Sequence, residues 1–128
     1  MGETAARPRP RVLVVDDEEN LRLSMGQILA LDYDVTLCGD AAEALRAILA
    51  GPTFDAVLCD LLMPRMSGAD LYEALEAQRP EQLRAMAFLT GGAFTPRARE
   101  FLQRVPNPRL EKPFSVPELH ALLRTLNP

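Results

Sequence analysis

The chain has 128 residues, room for one domain and little more. At 48% hydrophobic and 25% charged it has the composition of a globular protein with its own core, and a net charge of −4 excludes a global field drawing nucleic acid. No apolar run reaches the roughly 18 residues of a membrane span.

Residues 1–10, with the run GETAARPRP and no apolar stretch, read as a disordered tail or linker and not as a signal peptide. Val12 to Val15 is a short apolar, β-branched run, which predicts a strand buried on both faces. Asp16-Asp17-Glu18-Glu19-Asn20 follows, and Leu21, Met25, Ile28, Leu29 and Leu31 recur at helical spacing, predicting a helix from about Glu18 to Leu31. Asp34 to Leu37 reads as a second strand. Asp40-Ala-Ala-Glu43 has the form of a capping box before a helix, which Gly51-Pro52 ends.

Phe54 to Cys59 reads as a third buried strand, leading into Asp60. Ser67-Gly-Ala-Asp70 predicts the start of a helix reaching about Gln78, with Arg79-Pro80 as its stop. Leu83 to Leu89 reads as a fourth strand before Thr90-Gly91-Gly92. Thr95 and Pro96 fit an N-cap and first helical position for a short helix to about Arg104. Pro106 and Pro108 break the chain before a weak strand, Arg109 to Glu111. Lys112-Pro113-Phe114 follows, then a capping box at Ser115 and Glu118 and a last helix to about Leu126.

Strict alternation of strand and helix implies a parallel sheet covered by helices on both faces. In such sheets ligands sit beyond the carboxyl ends of the strands. Asp16 and Asp17 follow the first strand, Asp60 the third, Thr90 the fourth and Lys112 the fifth. If those strands are neighbours, the three carboxylates share one crevice and repel one another. All-oxygen ligands suit a hard cation such as Mg²⁺, and Lys112 adds positive charge from the other side. A crevice so neutralised can admit a phosphoryl dianion, and the central carboxylate, Asp60, is the candidate nucleophile.

Each residue also has a plainer reading. Asp16 and Asp17 could cap a helix, Thr90 could be a turn hydroxyl, and Lys112 a solvated lysine. His120, inside the last helix, reads as an exposed or half-buried helix residue. Cys38 and Cys59 sit in apolar runs without a metal-binding spacing, so they read as buried, reduced thiols of a cytoplasmic protein.

Taken in order, Val-Val-Asp16-Asp17-Glu18, Leu-Cys-Asp60-Leu-Leu-Met-Pro64 with Gly68, Leu-Thr90-Gly and Lys112-Pro113-Phe114 resemble the receiver domains of two-component response regulators. The likeness covers Arg11 to Leu126. It implies a flavodoxin-like (βα)5 three-layer sandwich with strand order 2-1-3-4-5. It implies Asp60 as phosphoacceptor, Asp17 as direct Mg²⁺ ligand, Asp16 as a partner acting through water, and the carbonyl of Leu62 as a further ligand. Thr90 would bond the phosphoryl oxygen, Lys112 would pair with the phosphate, and Lys112–Pro113 would be cis. The donor would be a phosphohistidine on a histidine kinase or phosphotransfer protein, and the output a protein partner or a linked kinase domain. The domain would catalyse only its own phosphorylation and dephosphorylation, as a monomer or weak dimer, touching neither nucleic acid nor membrane. It would stand alone or belong to a longer chain; the run from Thr90 to Phe114 resembles the C-terminal receivers of hybrid kinases.

Two departures stand out. Receivers usually place Tyr or Phe three residues before the lysine, where this chain has Arg109; the expectation is that Arg109 alters how the signal leaves, through an acidic partner. Val105-Pro-Asn-Pro108 replaces the usual Gly-Ala pair. Other readings are weaker. A pseudo-receiver would lack an acidic residue, the acceptor or the lysine. An aspartate-nucleophile phosphatase of the haloacid dehalogenase type carries D-x-D and a cap. A flavin binder would not place four acids at its phosphate loop.

Overall fold

The computed structural model describes residues 9–92 and 95–126. Five strands, β1 (Arg11–Val15), β2 (Asp34–Cys38), β3 (Ala56–Asp60), β4 (Met86–Thr90) and β5 (Arg109–Glu111), form one parallel sheet in the order β2-β1-β3-β4-β5. The helices are α1 (Glu19–Leu29), α2 (Ala41–Leu49), α3 (Gly68–Gln78), α4 (Pro96–Arg104) and α5 (Val116–Leu126). This is the flavodoxin-like (βα)5 sandwich that the sequence implied.

Strand periodicity divides the core into two layers. Leu13, Val15, Val57, Cys59, Met86 and Phe88 face α2, α3 and α4, while Val12, Val14, Ala56, Leu58, Ala87 and Leu89 face α1 and α5. Val12 to Val15 are fully buried, as a strand covered on both faces must be. On the first layer Phe101 of α4 packs edge-on against Tyr72 of α3 at 5.3 Å and Phe88 of β4 at 5.2 Å. Each such side chain contributes about 1.5–3 kcal/mol by leaving water, so the aromatic triad is what seats the short α4.

The caps follow the sequence. Ser67 and Asp70 form a full capping box on α3, Ser115 and Glu118 bond reciprocally before α5, and the Thr95 hydroxyl accepts from the Ala98 amide. At α2 the Asp40 carboxylate accepts from the Glu43 amide, but Glu43 reaches back to the Gly39 N–H, one residue further than a standard box.

Several boundaries differ from expectation, and β3 starts at Ala56, not at Phe54. α1 ends at Leu29, because the Tyr33 amide turns back to the Leu29 carbonyl and lets β2 begin. The fourth strand starts at Met86; Pro80–Ala85 forms a 3-10 turn, since fully buried Gln82 donates to and accepts from the Phe54 backbone and holds the chain off the sheet. Arg9 and Pro10, read as tail, are tied down: the Arg9 guanidinium donates to the Ala30 carbonyl and Asp34 N–H donates to the Pro10 carbonyl. The rest of that expected tail, 1–8, lies outside the described residues.

Arg65 adopts φ 67°, a left-handed conformation that disfavours a residue with a Cβ. Arg65→Gly is expected to raise stability by about 0.5–1 kcal/mol. A urea midpoint at or below the parent's would contradict this.

Candidate functional site

The sheet order brings the carboxyl ends of β1, β3, β4 and β5 side by side, which is what gathers the polar residues. Asp16 prolongs β1, its N–H donating to the Cys38 carbonyl at 3.2 Å, and it has no solvent exposure. Asp60 ends β3 and is 6% exposed, while Asp17 stands exposed at the rim. The carboxylates of Asp16, Asp17 and Asp60 offer oxygens that all lie within 4.8 Å of one another.

Thr90 is buried at the end of β4, and its carbonyl accepts from the Lys112 N–H at 2.7 Å. That backbone bond sets Lys112 over the acids. Its ammonium lies 2.9 Å from Asp16 Oδ2 and 3.4 Å from Asp60 Oδ2. The contact with Asp16 is an ion pair without hydrogen-bond alignment, so Oδ2 is a buried oxygen with no hydrogen bond among the described residues. Oδ1 of Asp16 accepts from the Glu18 N–H at 2.9 Å, and Oδ1 of Asp60 faces the Leu62 N–H at 3.4 Å. Lys112–Pro113 is cis, as the resemblance implied.

The charges are under tension. Burial, then the Asp16 carboxylate, push Asp60 up to about 6, against the opposing pull of Lys112 and the Leu62 N–H. Burial alone would pull Lys112 down; contact with Asp16 and the charge of Asp60 outweigh it and raise the ammonium above its ordinary value. One lysine therefore does not neutralise the crevice. An unsatisfied buried carboxylate oxygen, an all-oxygen donor set and a surplus of negative charge together fit a hard divalent cation.

The loop leaving Asp60 is pinned on both sides. Leu61 N–H donates to the Leu89 carbonyl and Gly68 N–H to the Leu61 carbonyl, each at 2.9 Å. A Cβ on Gly68 would stand 2.7 Å from the Asp60 carbonyl oxygen and 3.0 Å from Leu61 Cα, so α3 can begin this close only with glycine.

Among the remaining sequence candidates, Leu62 is 39% exposed and only its amide faces Asp60. Cys38 and Cys59 are free and buried, with burial as the main cause holding both thiols up (Cys38 at about 11), so neither offers a thiolate. His120 is half-buried on α5. Arg109 donates to the carbonyls of Leu102 at 3.0 Å and Val105 at 3.2 Å, fastening the end of α4 to β5. An internal partner of that kind was not part of the expectation for Arg109. Sequence reasoning also missed Arg22, which bonds the Asp16 carbonyl from α1, and the ion pairs of Arg97 with Asp70 and Glu73 and of Arg104 with Glu73 that tie α4 to α3. In sequence, all three arginines look like solvated helix residues. A groove of about 400 Å³, lined by Glu18, Leu21, Lys112, Pro113 and Phe114, shares Lys112 with the crevice.

A doubly wound parallel sheet whose carboxyl edge carries an acidic triad and a lysine defines an α/β domain of the aspartate phosphoacceptor class. The chain belongs to the response regulator receiver domains: the family model matches residues 12–124. It is similar to the transcriptional activator protein PfeR of Pseudomonas aeruginosa, 36% identical over 89% of this chain and 36% of that protein. It is also similar to the sensor histidine kinase TmoS of Ectopseudomonas mendocina, 30% identical over 92% of this chain and 12% of that one. The chain thus spans a minor part of each of these relatives. The structure of the chemotaxis protein CheY4 of Vibrio cholerae superposes with a TM-score of 0.78 at 26% identity, covering 92% of this chain and 98% of that one. Two-component signal transduction is the setting this family defines. Among the described residues no helix is long and apolar enough to cross a membrane.

Proposed function

We propose that Asp60 accepts a phosphoryl group from a phosphohistidine, with Mg²⁺ held by Asp16, Asp17, Asp60 and the Leu62 carbonyl. The observation that carries this reading is the Lys112 ammonium lying between Asp16 Oδ2 and Asp60 Oδ2 in a crevice with negative charge to spare. An Asp60 carboxylate oxygen attacks phosphorus; the P–N bond to the donor imidazole breaks, and its electron pair returns to that ring. When bound, Mg²⁺ supplies charge neutralisation of the carboxylates and the transferred oxygens. Lys112 pairs with the arriving phosphate, and Thr90 bonds one of its oxygens. The hydrogen bonds at Leu61 and Gly68 hold the chain that leaves Asp60, so positioning and not covalent chemistry is the protein's main contribution.

The donor is a histidine kinase or a histidine phosphotransfer protein, docking across the groove beside Lys112. The output partner is a protein surface or a linked kinase domain, on the cytoplasmic side. Catalysis is confined to the domain's own phosphorylation and dephosphorylation. The test is intact-mass spectrometry after incubation with a small-molecule acyl phosphate. One phosphoryl adduct that forms with Mg²⁺ and not with EDTA supports the reading; folded protein that takes up none would overturn it.

The adduct is expected to be long-lived. Leu62, two residues after Asp60, is apolar, and Gly92, two after Thr90, has no side chain, so neither can orient a hydrolytic water. Decay followed by mass should take minutes or longer; a half-life of seconds would contradict this.

A further inference from the structure

Four segments of the chain meet Asp16. Its N–H bonds the Cys38 carbonyl, Oδ1 accepts from the Glu18 N–H, Oδ2 faces Lys112, and its carbonyl oxygen accepts from Arg22 Nη1 at 2.9 Å. The last contact differs from the others. β1 stops at Val15, so the Asp16 carbonyl has no ladder partner, and an α1 side chain supplies the donor instead.

That carbonyl belongs to the peptide joining Asp16 to Asp17. Asp17 is exposed, and its carboxylate has no hydrogen bond or ion pair among the described residues. Nothing but the backbone therefore aims it at Asp16 and Asp60, yet its oxygen lies within 4.8 Å of theirs. Arg22 is half-buried and makes no ion pair among the described residues. A guanidinium five and six residues from two aspartates would by charge alone seek a carboxylate. Here it holds the backbone and leaves the Asp17 carboxylate uncommitted. Room for it comes from Gly39, where a Cβ would stand 3.1 Å from Nη1.

We propose that Arg22 is a positioning residue for the divalent cation: by fixing the Asp16–Asp17 peptide it aims the Asp17 carboxylate into the crevice. This rests on the Mg²⁺ reading above. The sign of its effect separates it from simple electrostatics. Removing a cation beside an acidic cluster should, by Coulomb's law alone, strengthen binding of a second cation. Losing a group that orients a metal ligand should weaken it, by roughly tenfold or more.

The experiment is a calorimetric titration of the folded protein with Mg²⁺, repeated with Mn²⁺, for the parent, Arg22→Ala, Arg22→Lys and Gly39→Ala, alongside urea unfolding without metal. Roughly tenfold weaker binding in Arg22→Ala is expected, with part recovered in Arg22→Lys, which keeps a donor. Gly39→Ala keeps the charge but crowds the guanidinium, so it should also weaken binding. It covers the case in which Arg22→Ala does not fold. Unchanged or tighter binding in Arg22→Ala, or an unchanged constant in Gly39→Ala with Arg22→Ala unfolded, overturns the proposal; a loss of stability alone makes Arg22 a mere staple of α1. A parent that binds neither ion fails at the earlier step and overturns the Mg²⁺ reading itself.

Discussion

Asp60→Asn is expected to abolish the phosphoryl adduct completely while leaving a folded domain that is more stable than the parent without metal. The first effect follows from chemistry, since an amide oxygen is no nucleophile toward phosphorus and no other carboxylate of the crevice has a place central to Lys112 and the β3 loop. The second follows from the raised carboxyl. Burial and Asp16 push Asp60 up to about 6, so in the folded state its charge is unfavourable above that pH despite Lys112. The sign is that of a group that holds its proton more tightly when folded. Its contribution to stability is complete below the ordinary carboxylate range and is lost as pH rises through about 4 to 6. At pH 7.5 the neutral amide should therefore gain about 3 kcal/mol over the parent, a gain that shrinks toward zero near pH 4. Urea unfolding with EDTA at several pH values reads this directly. Saturating Mg²⁺ should reverse the order, because only the parent keeps the full acidic set to bind it. A variant that still gains the adduct, or a difference in stability flat with pH, would contradict the assignment of Asp60.

Gly68→Ala should be the most damaging added methyl among the described glycines. The added carbon meets the Asp60 carbonyl oxygen at 2.7 Å and Leu61 Cα at 3.0 Å, both backbone atoms held by strand and loop bonds, so neither can move cheaply. The cost is about 1–3 kcal/mol. The strain falls on the peptide that carries the acceptor, so adduct formation should slow as well as stability fall. Ala69→Gly, one residue on, provides the contrast: it removes a buried methyl from α3 and should lower stability without slowing phosphorylation in the folded fraction. If both variants lose stability alone, the close approach at Gly68 serves packing and not the site.

Much of this was legible in the residues. The continuous apolar run Val12 to Val15, capping boxes at Ser67 and Ser115, and Pro96 opening α4 are local patterns, decided within a few positions of chain, and each is present in the fold. The acidic pair, Asp60, Thr90 and Lys112 were recognisable because each stands at or just past the end of a strand. The boundary of β4 was not legible, because what displaces Leu83 to Ala85 from the sheet is the distant Phe54 backbone binding Gln82.

What the sequence alone determined is the alternation of strands and helices and the identity of the groups at the strand ends. Both depend on neighbours along the chain. The tertiary structure decided how those groups act. It buried Asp16 completely and left Asp17 at the rim, although the two are adjacent and identical in type. It raised Asp60 by burying it and setting it against Asp16, turned Arg22 onto the backbone and Arg109 onto α4, and left no room for a side chain at Gly68. These properties depend on desolvation, charge separation and contact between segments far apart in sequence, and such distances exist only once the sheet has formed.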